Sequence, residues 1–232
     1  MHAAIFDVDG TLLDSNGVDG ELYIAAVETV LGPARIRSNW GEYEHVTDSG
    51  ILKEILLDNG MRADHAIISA IKSAFIQSLR RHIGQYGPFP EIPGAREFVR
   101  GVCRAGDRRC AYATGGWSAP ALIKLESAGF PIEGVPIASA DDSYERRAIM
   151  ENALRQLGPC ESVTYYGDGV WDRNAALSLG WSFVAVGAAL GGIARFETEL
   201  PGPRPELRRG GGRLDDLTDA PILVGLQKTT DR

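Results

Sequence analysis

At 232 residues and 44% hydrophobic, the chain can bury a full core as one large domain or as one domain plus an insert. The net charge of −7, with no Lys/Arg cluster beyond Arg208-Arg209, argues against a nucleic-acid or membrane partner. No apolar run approaches the ~18 residues of a membrane span, and the amino terminus enters an apolar run without a charged leader, so a soluble cytoplasmic protein is expected.

Residues 3–8 read as a buried strand that carries two carboxylates two residues apart, Asp7 and Asp9. Gly10 signals a turn immediately after Asp7, which puts Asp7 at the strand's carboxyl tip. Open parallel α/β sheets bind ligands at that end. Paired carboxylates there suit a hard cation such as Mg²⁺ and nucleophilic chemistry. Taken alone, the same residues also describe an ordinary Asp/Gly turn.

Residues 15–90 carry helical patterns and no strand-like run: Leu22, Ala25, Ala26, Thr29 and Val30; Ile51, Ile55 and Leu56; Ile67, Ile68, Ile71, Phe75 and Leu79. This is a helical insert, closed by the Gly/Pro-rich residues 84–90. Thr47, Asp48 and Ser49 are ordinary N-cap residues for the following helix. His45, Lys53, His65 and His82 could touch substrate, yet solvated helix faces account for each with fewer assumptions.

From residue 93 the pattern alternates: helices over 94–105, 118–128, 147–157 and 170–179, strands over 109–113, 135–138, 162–166 and 183–186. Such alternation implies right-handed βαβ units and a parallel sheet. Because the first strand precedes the insert, the α/β core is discontinuous, 1–14 and 91–232, around a helical unit at 15–90. One strand runs into Thr114-Gly115-Gly116-Trp117 and another into Gly167-Asp168-Gly169, with Asp172 one helical turn on. Arg146 and Arg147 precede a helix whose inner face is Ile149, Met150, Ala153, Leu154 and Leu157. Gly191-Gly192 and Gly210-Gly211-Gly212 read as flexible loops, and Leu214, Leu217 and residues 222–226 as a last short helix and strand. Cys103, Cys110 and Cys160 lack C-x-x-C spacing and read as small core residues in a reducing compartment.

In this order the pieces resemble the haloacid dehalogenase superfamily, whose four motifs are an Asp-x-Asp-x-Thr loop, a strand ending in Thr or Ser, a Lys or Arg, and a Gly-Asp-x-x-x-Asp loop. The resemblance spans residues 3 to about 187. Asp7-Val8-Asp9-Gly10-Thr11-Leu12-Leu13-Asp14-Ser15 is similar to the subgroup holding phosphoglycolate phosphatase and β-phosphoglucomutase. It implies a doubly wound parallel sheet with an all-helical cap inserted after the first strand, and it places residues 44–50 where relatives carry a substrate-specificity loop between cap helices, a position that helix capping by Thr47, Asp48 and Ser49 accounts for at least as well.

The resemblance also implies roles. Asp7 is the nucleophile that becomes an aspartyl phosphate, and Asp9 is the acid and then the base. Asp7, the Asp9 carbonyl, Asp168 and Asp172 hold Mg²⁺. Favourable placement in the first turn of a helix would equally account for Asp172. Thr114, Gly115 and Gly116 cradle the phosphate, and Arg146, with Arg147 as the alternative, offsets its charge. Two departures stand out: Gly115 where Asn is common, and no Lys-Pro pair at the third motif. The expected activity is a Mg²⁺-dependent phosphatase for a small phosphorylated metabolite. The alternatives are a phosphomutase of the β-phosphoglucomutase type and a non-catalytic phosphate-binding or interaction protein. Nothing in the sequence sets the oligomeric state.

Overall fold

A computed structural model of the chain describes residues 1–197. Five strands, β1 (His2–Phe6), β2 (Arg108–Ala113), β3 (Ile137–Ala138), β4 (Ser162–Gly167) and β5 (Ser182–Ala185), form one parallel sheet in the order β3-β2-β1-β4-β5. β1 is central, with Phe6 in register with Tyr112 on one side and Tyr166 on the other. The parallel α/β sheet expected from the alternation, and the doubly wound fold that the resemblance implies, are the ones observed.

Both faces of the sheet are covered, and the period of two along β1 shows how. Ala4 and Phe6 join a cluster with Phe98, Val99 and Val102 of α4 (Ala95–Arg104) and Leu125 of α5 (Ser118–Ser127). Ala3 and Ile5 join the opposite cluster, with Ile149, Met150 and Ala153 of α6 (Arg146–Leu157) and Ala175 and Ala176 of α7 (Val170–Ser178). β1 stops at Phe6, earlier than residues 3–8 suggested, because the loop at Gly10 turns the chain; the Asp7 amide still donates to the Tyr166 carbonyl at 2.9 Å.

Between β1 and β2 lie α1 (Asn16–Leu31), α2 (Asp48–Asp58) and α3 (His65–Tyr86), which build a third cluster. Its members from α2 and α3 include the expected Ile51, Ile55, Leu56, Ile71 and Phe75. α1 is rotated from the expected face: it buries Tyr23, Ala26 and Val27. Tyr23 on this face meets Trp117, which leaves the loop after β2 and enters the cluster, its ring 5.4 Å from that of Tyr23 and 6.0 Å from that of Phe75.

Three expectations change. Cys103 and Cys110 are bonded to each other, with Cα atoms 5.7 Å apart, because the end of α4 and the middle of β2 are brought side by side. The reading of unpaired core thiols therefore holds for Cys160 alone, and the reducing-compartment expectation that rested on it loses its basis. Gly191 and Gly192 form a hydrogen-bonded turn against the end of β5, in place of an open loop; a Cβ on Gly192 would overlap the Ala185 carbonyl. The readings at Gly210-Gly211-Gly212, Leu214, Leu217 and 222–226 lie outside the described residues. Among the described residues no helix is long and apolar enough to cross a membrane.

Trp117 is the largest fully buried side chain and links the loop after β2 to the α1–α3 cluster. Replacing it, Trp117→Ala, is expected to cost about 3–5 kcal/mol in a urea unfolding curve. A loss below about 1 kcal/mol would contradict this packing.

Candidate active site

Parallel strands in register end at one level, and here the chain leaves β1, β2 and β4 with polar residues at that edge. Asp7 follows β1, Thr114 follows β2 and Asp168 follows β4. Asp172 stands in the first turn of α7, where its Oδ2 accepts the Gly169 amide at 3.1 Å. Carboxylate oxygens of Asp7, Asp168 and Asp172 lie within 4.8 Å of one another.

The cation among them is Arg146, the first residue of α6. Its Nη1 donates to Asp7 Oδ1 at 3.1 Å, and its Nε stands 3.3 Å from Asp172 Oδ1 as an ion pair without hydrogen-bond geometry. Arg147 projects outward and pairs with Glu151. Of the two arginines, helix phase brings only Arg146 to the carboxylates. Gly115 makes room for it, since a Cβ there would overlap the guanidinium. The glycine that departs from the common Asn thus accompanies the bulkier cation.

Burial first, and then repulsion from Asp172, push the Asp7 carboxyl well above the usual range, with Arg146 opposing. Burial and Asp172 push Asp168 up to about 6, although Asn16 Nδ2 donates to its Oδ2 at 2.8 Å. Asp172 is raised too, chiefly by burial. Arg146 stays charged, because Asp172 and Asp7 more than offset the burial that would lower it.

Does a metal fit? Hard oxygen donors on three converging carboxylates are what a small divalent cation takes. Gly10, at φ 74°, lets the loop approach so closely that a Cβ would overlap Asp168 Oδ2 and Asn16 Nδ2. The donor set and this cradle fit Mg²⁺.

Asp9 lies outside that triad. Its Oδ1 accepts from Ser15 Oγ at 2.5 Å and from Lys124 Nζ at 2.5 Å, and the same Nζ donates to Asp19 Oδ1 of α1 at 2.6 Å. Lys124 is 1% exposed. Burial would lower its pKa, but Asp19 and Asp9 more than offset this and keep it cationic. The sequence reading missed Lys124. The signal was available: Ala121, Lys124 and Leu125 fall at helical spacing on the buried face of α5, so a lysine there needs partners.

Thr114 is buried, and its Oγ1 accepts the Gly116 amide at 3.0 Å, so in this arrangement that amide is engaged inside the turn. Thr47 caps α2 by accepting the Gly50 amide at 3.2 Å. Asp48 and Ser49 instead reach across to the tryptophan: Asp48 Oδ2 accepts the Trp117 amide at 2.9 Å and Ser49 Oγ accepts Trp117 Nε1–H at 2.8 Å. Asp48, half-buried, is pushed up to about 8 by its partial removal from water and by nearby Asp19. Asp7, Asp9, Thr114, Gly115, Gly116, Arg146 and Asp168 line one cavity of about 240 Å³ with residues of α1 and α2. A larger cavity, about 500 Å³, opens beside Lys53, Lys72 and Tyr144 and holds none of the expected site residues.

The haloacid dehalogenase-like hydrolase family model matches residues 1–180. No curated protein matches the chain. Among solved structures, a hydrolase from Pseudomonas syringae is 24% identical with a TM-score of 0.64, covering 80% of this chain and 84% of that one. CbbY from Rhodobacter sphaeroides, in complex with phosphate, is 21% identical with a TM-score of 0.62, covering 86% and 90%. A β-phosphoglucomutase from Clostridium difficile is 15% identical with a TM-score of 0.62, covering 80% and 84%. At these identities the likeness is one of fold.

Two outcomes follow from the charges. Lys124→Met leaves two carboxylates facing each other out of water and is expected to lower stability by about 3–5 kcal/mol in urea unfolding; adding Asp19→Asn should recover part of that loss, and no recovery would contradict the pairing. The raised carboxyls fix a sign as well. Between about pH 4, their unfolded value, and their folded values, the folded protein binds more protons than the unfolded chain. Stability contributed by protonated Asp7, Asp168, Asp172 and Asp48 is therefore lost as pH rises through that window. In chelator, the thermal midpoint should fall from pH 5 to pH 8, and a rise would contradict the assignment.

Proposed function

Because the chain belongs to the haloacid dehalogenase-like hydrolases, we propose that it is a phosphatase acting on a small phosphorylated metabolite through an aspartyl phosphate on Asp7. The observation that carries this reading is the convergence of Asp7, Asp168, Asp172 and Arg146 at the carboxyl edge of the sheet, beside Thr114. Hydrolysis of phosphate monoesters is among the slowest uncatalysed reactions, so no single group suffices.

In the first step a carboxylate oxygen of Asp7 attacks phosphorus, the bond to the leaving oxygen breaks, and Asp9 delivers a proton to that oxygen. In the second, Asp9 takes a proton from water as the water oxygen attacks phosphorus. The Asp7–phosphorus bond breaks, releasing inorganic phosphate and restoring the carboxylate. Arg146 sits against Asp7 and offsets charge on the transferring group, while the Thr114 hydroxyl is near enough to the same cavity to hold a phosphoryl oxygen. Lys124 and Ser15, both on Asp9 Oδ1, fix the direction of that side chain.

A Mg²⁺ ion would be held by Asp7, Asp168 and Asp172, with the Asp9 carbonyl, and when bound would supply the positive charge that keeps Asp7 ionised and shields the phosphoryl oxygens. Helices α1 to α3, residues 15–90 in this reading, act as a cap over the site: Asp19, Tyr23 and Asp48 line the same cavity as the core residues. Closing it excludes water during transfer. The related CbbY and β-phosphoglucomutase structures agree with a phosphorylated small molecule as ligand class.

The test is inorganic phosphate release across a panel of phosphorylated metabolites with Mg²⁺ and with chelator. The expected result is metal-dependent release that Asp7→Asn abolishes, that Arg146→Ala lowers at least about hundredfold, and that Arg147→Ala leaves within about twofold. Isomer formation without phosphate release would favour a mutase; the absence of both would contradict catalysis.

A further inference from the structure

The cavity that takes the phosphoryl group has a second wall, and its chemistry bears on what the phosphoryl group is attached to; this step rests on the phosphatase reading above. That wall comes from the helical insert. It presents Asp19, Gly20 and Tyr23 of α1, Trp40, and Asp48 of α2. Among the described residues that line the cavity, Arg146 is the one Lys or Arg, and it is already committed to Asp7 and Asp172. Lys124, close by, is committed to Asp9 and Asp19.

Asp48 is held firmly. Its amide donates to the Gly115 carbonyl at 2.8 Å, its carbonyl accepts the Tyr23 hydroxyl at 2.7 Å, and its Oδ2 accepts the Trp117 amide at 2.9 Å. Its Oδ1 makes no hydrogen bond to a described residue, which leaves one fixed oxygen for a ligand hydroxyl or ammonium. A second anion on the ligand would instead face Asp48 and Asp19, with no Lys or Arg among the described lining residues left to pair with it. Half-buried Trp40 offers aromatic surface for carbon-bound hydrogens of a polyol or for an ammonium group, whereas the Tyr23 ring is already covered by Trp117, Phe75 and Trp40. At about 240 Å³ the cavity is below the ~300–1,000 Å³ of sites for drug-sized ligands, so the whole ester is small.

We infer that the substrate is a monophosphate ester of a small polyol or amino alcohol, and that Asp48 and its neighbours reject leaving groups bearing a carboxylate or a second phosphate. The experiment measures kcat/KM for phosphate release by the Mg²⁺-loaded full chain on glycerol phosphate, phosphoethanolamine, phosphoglycerate, phosphoglycolate and a propanediol bisphosphate. p-Nitrophenyl phosphate serves as an activated control, and Asp7→Asn as the blank. Glycerol phosphate or phosphoethanolamine should exceed each of the three anionic esters by at least about tenfold, the ratio expected when a buried charge goes unpaired. An anionic ester turned over as well or better overturns the inference. Asp7-dependent release from the aryl ester with none from the small esters overturns it too, while leaving the phosphatase reading in place. No release even from the aryl ester overturns both.

Discussion

Three carboxylates that repel one another, two of them buried and one half-buried, surround one guanidinium, and much of this molecule can be read as the means of holding them there. Asp7 and Asp168 are fixed by adjacent parallel strands that end at the same level, Asp172 by its cap on α7, and Arg146 by the start of α6. Two glycines complete the arrangement by having no side chain: Gly10 under Asp168 and Gly115 beside Arg146. Burial raises the carboxyls, and one cation does not balance three anions. A site under that imbalance is one that gains from binding a further positive charge.

A second ionic cluster ties the helical insert to this edge. Lys124 on α5 joins Asp9 in the loop after β1 to Asp19 on α1, so one ammonium, together with the Ser15 hydroxyl on Asp9, couples the direction of the Asp9 side chain to the first insert helix. Trp117 does the same by packing, carrying the loop after β2 into the α1–α3 cluster while Asp48 and Ser49 bond to it. Under the proposed function, the positions of acid, nucleophile and cap are then set by shared contacts.

The strand tips are legible in the sequence because an apolar run followed by Asp-Gly or Thr-Gly, inside an alternating α/β pattern, marks the end of a buried strand and the turn beyond it. Asp7, Thr114 and Asp168 are found that way. The choice between Arg146 and Arg147 needs helix phase to within one residue, which neighbouring identical side chains do not reveal. Lys124 belongs to no motif, and its partners, Asp9 and Asp19, are more than a hundred positions away. The Cys103–Cys110 bond is hidden for a similar reason, since a separation of 7 residues becomes a pair only when helix end and strand lie side by side. The face α1 buries is likewise met by residues of other elements, Trp117 and Phe75 on Tyr23.

The central claim is that Asp7 accepts the phosphoryl group. Its most direct test is to mix the Mg²⁺-loaded protein with an ester it hydrolyses, quench in acid within a turnover, and map the modified peptide by mass spectrometry. The account predicts the mass of one added phosphoryl group on the peptide that contains Asp7, and on no other. Turnover with an unmodified Asp7 peptide, or with the phosphoryl group on a different residue, would contradict it.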